Sequence, residues 1–339
     1  MTGAGAPGGP GIIKSLTKLG YIDLFIADAN DEVSGRYLIP QKFFCIPRAD
    51  DPSFCEEVLD LCTREKINVV FPLVTKELLR FSENLDTFQK HGVKVIVSEP
   101  ESLSIAVNKC RLYEHLNKNK IELPGFKVAT NYKEFLDAIN FIGYPEKPFC
   151  IKPGFSNGSR GVRIVDSSID KFDLLFNHKP NALCIGYDEL NSILKLQAFP
   201  ELLVSEVLPG HEITIDTIVD DGRVELILPR KRLKMVNGIS VQGEFFYNES
   251  IVKYTSQVLN SLQLDGPIGI QLKQNNDGDY RILEINPRIQ GTSVAALGLN
   301  INLPEIAVRN ALGLPNQYPS LNDIKWGTKF FRFYNEVFY

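Results

Sequence analysis

The chain is 339 residues long, with 37 Lys and Arg against 41 Asp and Glu, 4 His and a net charge of −4; 44% of its residues are hydrophobic and 23% charged. At about 150 residues per domain, this length predicts two or three domains and a core large enough to fold without staples. No run reaches the roughly 18 apolar residues of a membrane span, the glycine-rich start is not a signal peptide, and a mildly acidic chain lacks the basic face of a general nucleic-acid binder. The expected compartment is the cytoplasm, with neither membrane nor nucleic acid as partner. Cys45, Cys55, Cys62, Cys110, Cys150 and Cys184 form no C-x-x-C pair and read as reduced, mostly packed thiols.

In chain order, a helix is predicted over Ile12–Leu19, a strand over Tyr21–Ala27, a helix over Cys55–Lys66 and a buried strand over Asn68–Leu73. A helix over Lys76–His91 and a strand over Val93–Val97 follow. Strands alternating with helices argue for βαβ units and a parallel sheet. The texture changes after Pro100, and the boundary is placed near residue 106. Helices over Asn108–Asn119 and Tyr132–Phe141 lead to a strand at Phe149–Lys152. Beyond Leu202 the chain is hairpin-like, with strands at Leu202–Val207, Ile213–Val219 and Val224–Leu228 turning at Pro209-Gly210 and Asp220-Asp221-Gly222. A last strand begins at Lys329. The fold class is thus α/β plus α+β.

Three stretches carry chemistry. At the N-terminus, Gly3, Gly5 and Gly8 fit G-x-G-x-x-G ahead of a helix, and Asp28 closes the next strand. This spacing is open to a dinucleotide site, another anion site or a structural turn. The strand that should precede the loop is missing, which reads as a misplaced or truncated start. The segment CIKPGFSNGSRGVRIV over 150–165 places Lys152 on a strand before a loop containing Gly154, Gly158 and Gly161, with another strand after it. It reads as a hairpin lid over phosphates or as a surface hairpin, and it is not a Walker A loop.

The third stretch is GPIGIQLKQNNDGDYRILEINPRIQG over 266–291. A two-residue type I′ turn at Asp277-Gly278, with Asn276 facing Asp279, sets Gln271 opposite Glu284, and Asn286 falls on the same face two residues on. Three oxygen donors there suit Mg²⁺, and the adjacent Arg288 suits a transferring phosphoryl group. Arg230, Arg232 and Lys234 alternate to one face of a further strand, as a binder of an acceptor carboxylate or ATP phosphate or as a solvated edge. Asp216 belongs either to an acceptor pocket or to structure alone.

Together these pieces resemble the ATP-grasp superfamily, in particular members similar to one half of the carbamoyl phosphate synthetase large subunit. The resemblance runs over nearly the whole chain, through N-K-C with Lys109, K-P-G-F-S-N-G-S-R-G-V, S-E-V-L-P-G-H-E-I-T-I-D and the Q…E-I-N-P-R hairpin. It implies a pre-ATP-grasp, Rossmann-like parallel-sheet domain over 1–106 and a two-lobed ATP-grasp domain over 107–315. The first lobe, 107–200, would carry the glycine-rich lid; the second, 201–315, the Mg²⁺ site; residues 316–339 would form a C-terminal strand and tail. The chain stops soon afterwards at Tyr339, which leaves a truncated end open as well.

The resemblance also implies roles. Lys109 and Lys152 bind ATP phosphates, Lys152 also lying near the adenine, and Ser156, Gly158, Ser159 and Gly161 close over them. Glu206, Val207 and Leu208 form the adenine hinge, Glu206 through the exocyclic amine and Leu208 through its backbone. Glu212 holds the ribose. Gln271, Glu284 and Asn286 hold Mg²⁺, with Mn²⁺ as an alternative ion, and Arg288 is the catalytic arginine. Gly5 and Gly8, with Arg230 and Arg232, are assigned to the acceptor. A neutral Gln271 leaves one negative charge fewer for a second ion. The implied function is a carboxylate–amine ligase working through an acyl phosphate on small-molecule substrates, as a possible homodimer. A carboxyphosphate- or carbamoyl phosphate-forming enzyme is the alternative, ahead of an NAD-dependent oxidoreductase and of a nucleotide-binding module without turnover.

Overall fold

The first residues supply the strand that the sequence reading finds missing. Thr2 makes parallel bridges to both Ala27 and Pro72. Its N–H donates to Phe71 O at 3.1 Å, while Ala4 N–H donates to Ala27 O at 3.1 Å and Ala27 N–H to Met1 O at 2.9 Å. This short central segment lies between the parallel pairs Ile26–Asp28 with Phe43–Cys45 and Val69–Val70 with Lys94–Val95. The parallel character is as expected, although the strands are only two or three residues long.

The computed structural model describes all residues except 157, 159, 178–182, 237, 334, 337 and 339. It divides into two units: Met1–Ser104, Glu212–Gln271 and Ile285–Tyr339 form the first, and Ile105–His211 with Leu272–Glu284 the second. The first break falls between residues 104 and 105, and residues 212–271 and 285–315 group with the N-terminal stretch.

The reason is a shared core. The helix Gly9–Thr17 buries Ile12, Ile13 and Leu16, with Pro10 in its first turn where no N–H partner is needed. These side chains belong to one apolar cluster with Ile218, Leu228, Phe245, Leu303 and Ile324. The predicted helix over Lys76–His91 is two helices, Thr75–Ser82 and Leu85–Lys90. Asn84 ends the first by donating its side-chain amide to Arg80 O at 2.8 Å and starts the second by accepting from Thr87 and Phe88 N–H.

An antiparallel sheet takes the order Tyr280–Asn286, Gly266–Gln274, Glu212–Asp220, Arg223–Val236, Ile239–Phe245, Lys329–Phe331. Arg223–Val236 is far longer than predicted, taking in the whole Pro229–Lys234 segment. The two-residue D-G turn occurs here, at Asp221-Gly222, where Asp220 pairs with Arg223 and both turn residues have positive φ (49° and 73°). The other D-G is different. Asn275 N–H donates to Asp279 O at 2.8 Å and Gly278 N–H to Asn275 O at 3.2 Å, with Gly278 at φ 87°. That is a three-residue loop closed by a left-handed glycine, the geometry of a type I turn with a bulge. Asn275, not Asn276, therefore faces Asp279.

In the second unit, Phe126–Ala129, Leu202–Glu206, Phe149–Pro153 and Arg163–Val165 form a four-stranded antiparallel sheet in that order. The helix Tyr132–Ile142 covers it with Phe135, Ala138 and Ile139. Asn131 caps that helix by accepting from Glu134 N–H, while the Glu134 carboxylate accepts from Thr130 N–H at 2.8 Å. All six cysteines are free, and Cys55, Cys62, Cys110 and Cys150 are buried. Among the described residues no helix is long and apolar enough to cross a membrane.

One buried acid in the first unit sets a pH dependence. Glu77 accepts a hydrogen bond from Thr2 Oγ1 at 2.6 Å. Burial, with the nearby negative charge of Asp28, pushes its carboxyl from 4.5 to about 7. The fold therefore keeps a proton that the unfolded chain releases, so this group favours folding fully below pH 4.5 and its contribution is lost as pH rises through about 7. Glu77→Gln is expected to flatten that part of the stability profile, by on the order of 3 kcal/mol across the window. Urea unfolding at several pH values reads it.

Candidate active site

Asn108 starts the site. In extended backbone ahead of the helix Lys109–Lys118, its side chain accepts from the N–H of Cys110 and Arg111 at 2.9 and 3.1 Å, satisfying two of the orphan donors of the first turn. This places Lys109 at the first helical position, where its own N–H donates to Gly154 O at 2.7 Å. The Lys109 side chain is buried. Its Nζ donates to Ser156 O at 3.1 Å and Ser156 Oγ at 3.4 Å, and lies 3.5 Å from Glu284 Oε2. The lysine of N-K-C, the glycine-rich loop and the acid of E-I-N are thus brought together within one unit. A buried ammonium is tolerated only with such partners.

Lys152 is also buried, on the strand Phe149–Pro153. Its Nζ lies 6.0 Å from the centre of the Tyr113 ring, and Tyr113 OH donates to Ile282 O at 2.7 Å. Gly158 and Gly161 take positive φ, 61° and 75°, in a loop joining two antiparallel strands as expected. Ser159 lies outside the described residues. Glu206 ends its strand with its carboxylate accepting from Gly125 N–H at 2.9 Å, so its side chain is already engaged. Val207 and Leu208 follow, Leu208 buried.

The remaining predicted residues belong to the first unit, apart from Glu284. Glu212 forms an ion pair with Arg232, whose Nε also donates to Ser240 Oγ at 3.2 Å. Two residues read in different roles therefore hold each other. Arg230 is 1% exposed and pairs with Asp216 at 3.0 Å. Gln271 and Asn286 are half-buried at their strands. Arg288 Nε donates to Thr75 Oγ1 at 3.2 Å and Nη1 to Ile289 O at 2.8 Å, which orients the guanidinium.

The N-terminal glycines answer to close packing. A Cβ at Gly8 would stand 2.6 Å from Gly291 Cα. Gly5 N–H donates to Asp28 Oδ2 at 2.8 Å, so this acid closes on the glycine loop.

Sequence reasoning missed Thr75, Glu201, Gln290 and Ser293. Glu201 accepts from Asn108 Nδ2 at 3.3 Å and its carbonyl holds Gly154 N–H at 2.8 Å. No periodicity marks such a residue. The Asp216–Arg230 pair did have a signal: the D-G turn at 221–222 sets the strand register and brings both to one sheet face.

A family model described as an ATP-grasp in the biosynthetic pathway with Ter operon matches residues 198–328, and one described as a PylC-like N-terminal domain matches residues 12–96. The chain is 25% identical over 297 residues to a carbamoyl phosphate synthase large chain from Pseudothermotoga lettingae; the match covers 87% of this chain and 25% of that protein. It thus spans a quarter of that relative's length. Among solved structures, it is similar to carboxyaminoimidazole ribonucleotide synthase from Aspergillus clavatus complexed with ATP, with a TM-score of 0.69, 16% identity and coverage of 94% of this chain and 78% of that one. It is also similar to a biotin carboxylase from Campylobacter jejuni, with a TM-score of 0.67, 13% identity and coverage of 94% and 71%. The fold is the one these proteins share.

A Cβ on Gly154 would stand 2.9 Å from Glu201 Oε2 and 3.0 Å from Asn108 Oδ1. Gly154→Ala is therefore expected to push the cap of the Lys109 helix away from Glu201 at a cost of about 1–3 kcal/mol, and to loosen Lys109. Urea unfolding measures the first effect and nucleotide titration the second.

Proposed function

This chain is a member of the ATP-grasp superfamily in which a PylC-like N-terminal domain precedes one grasp, and we propose that it is an ATP- and Mg²⁺-dependent carboxylate–amine ligase. The observation that carries this reading is the convergence on Lys109 Nζ of Ser156 from the glycine-rich loop and the Glu284 carboxylate.

In this reading Lys109 and Lys152 hold the phosphates of ATP, and the loop from Ser156 to Gly161, Gly158 and Ser159 included, closes over them. Phosphoryl transfer depends chiefly on positioning and on neutralising charge. Glu206, Val207 and Leu208 border the adenine; with the Glu206 carboxylate held by Gly125, Glu206 serves through its main chain. Glu212 takes the ribose hydroxyls in exchange for, or shared with, its ion pair to Arg232. Gln271, Glu284 and Asn286 offer oxygen donors of the hard kind that suit Mg²⁺, and Mn²⁺ in its place. The bound ion would neutralise charge on the transferring phosphoryl group. Because Lys109 already faces Glu284, that carboxylate sits where cationic charge is accepted. Arg288, oriented by Thr75, steadies the phosphoryl group.

The substrate carboxylate attacks the γ-phosphorus, ADP leaves and an acyl phosphate forms. The amine then attacks the acyl carbon and expels phosphate, with one proton lost from nitrogen. The sum is ATP, acid and amine to amide, ADP and phosphate. A second reading takes bicarbonate as the acid, giving carboxyphosphate. It is favoured by the names of the relatives, which include a carbamoyl phosphate synthase and a biotin carboxylase.

The thermal midpoint of the purified chain tests the nucleotide site. A ligand that binds only the folded state at about 100 times its Kd adds about 2.7 kcal/mol. Mg-ATP and ADP are expected to raise the midpoint, Glu284→Ala to weaken the Mg-ATP effect, and NAD(H) to do nothing. A rise with NAD(H) alone would sink the ligase reading. ADP release that requires a carboxylic acid and an amine supports the ligase, whereas release with bicarbonate alone supports carboxyphosphate formation.

A further inference from the structure

The buried pair Asp216–Arg230 holds one atom that packing leaves unexplained. Both oxygens of Asp216 are used: Oδ2 accepts from Arg230 Nε at 3.1 Å and lies 3.0 Å from Nη2 in the ion pair, and Oδ1 accepts from Ser293 Oγ at 2.6 Å and Gln290 Nε2 at 3.2 Å. The face of the guanidinium is covered as well, since its carbon lies 5.7 Å from the centre of the Phe330 ring. Nη1 is different. Among the described residues it is buried and has no hydrogen-bond partner.

A buried donor in a native protein is nearly always satisfied, and an exception calls for an explanation. Neutralising Asp216 takes only one edge of a guanidinium, and Nε with Nη2 already supplies it. The third nitrogen adds donors for which the described residues provide no acceptor. Arg230 also lies on a sheet face that leads outward to more exposed polar residues. The paired register puts Thr214 beside it and Asp216 diagonal to it on one sheet face, which continues to Arg232 and Glu212. Going outward along this face, burial falls from a side-chain exposure of 1% at Arg230 to 6% at Arg232 and 24% at Glu212.

We propose that Nη1 of Arg230 receives a carboxylate oxygen of the acid substrate; the inference rests on the ligase reading and names the group recognised there. Because Asp216 already balances the guanidinium charge, the pair presents donors without net charge. That suits one oxygen of a monoanion and not a dianionic phosphate, which needs uncompensated positive charge. Phe330 closes the face of the guanidinium, so the carboxylate approaches in its plane, at the Nη1 edge. Asp216, Gln290 and Ser293 are positioning residues that hold the arginine.

The test follows the arginine Nη nitrogens of the ¹⁵N-labelled full chain by NMR, saturated with Mg-ADP, as sodium acetate is added, with acetamide, sodium chloride and sodium phosphate as controls. Acetate is expected to move one arginine's Nη signals saturably in the millimolar range, and the controls to leave them in place. Arg230→Lys should abolish that signal and weaken acetate binding by about tenfold or more, while Mg-ADP still raises the thermal midpoint. If Arg230→Lys does not fold, Phe330→Leu identifies the same signal by removing the ring above it. No saturable response, an equal response to acetamide or chloride, a stronger one to phosphate, or a response that survives Arg230→Lys each overturns the proposal. Failure of Mg-ADP to bind the unmodified chain sinks the ligase reading instead, and the acetate titration then still decides the carboxylate site by itself.

Discussion

A buried lysine ammonium must be surrounded by acceptors or it will not stay buried, and much of the second unit is arranged around that requirement at Lys109. The Asn108 cap fixes where the helix begins and therefore where Lys109 points. The carbonyl of Gly154 takes its N–H, the Ser156 carbonyl and hydroxyl take part of its Nζ, and Glu284 supplies the balancing charge. Helix, glycine loop and hairpin strand meet at one cation. In the proposed reading, nucleotide phosphates and a metal ion would replace or share the groups that satisfy Lys109.

The first unit solves the opposite problem with an acid. Asp216 is buried among three hydrogen-bond donors from three residues and the Arg230 charge, a carboxylate bonded through both oxygens of the kind that defines a unique core. Around it the sheet face grades from Ile218 and Leu228, through this pair, to the more exposed pair of Glu212 and Arg232. The polar strip is thus continuous with the apolar core, and its inner end is held rigidly.

Much of this was legible in the residues. The helix expected over Asn108–Asn119, observed at Lys109–Lys118, and the hairpin of the glycine loop follow from periodicity and alternation, whereas the meeting of Lys109 with Glu284 was not foreseen. What failed had local physical causes. Asn84 splits a helical pattern by capping backward, which periodicity does not register. The two D-G pairs look alike in sequence, yet one makes a two-residue turn and the other lies in a bulged loop, since the choice depends on how the flanking strands pair. The spacing of Gly3, Gly5 and Gly8 left a dinucleotide site, another anion site and a structural turn open, because glycine spacing alone carries no record of the close approach to Gly291 or of the Asp28 contact. Glu201 and Ser293 lie far in sequence from what they hold, and nothing local announces them.

The first unit is assembled from three stretches of chain, and its apolar cluster needs Ile12 from the beginning as much as Leu303 and Ile324 near the end. On the ribosome, that core cannot close until the last stretch has emerged, whereas the four-stranded sheet of the second unit is complete once Leu202–Glu206 has been made. The nascent N-terminal segment therefore waits through most of synthesis with Ile12, Ile13 and Leu16 only partly covered, by early partners such as Leu24, Ile26 and Phe71. High sequence separation between core partners slows closure and lengthens exposure to aggregation.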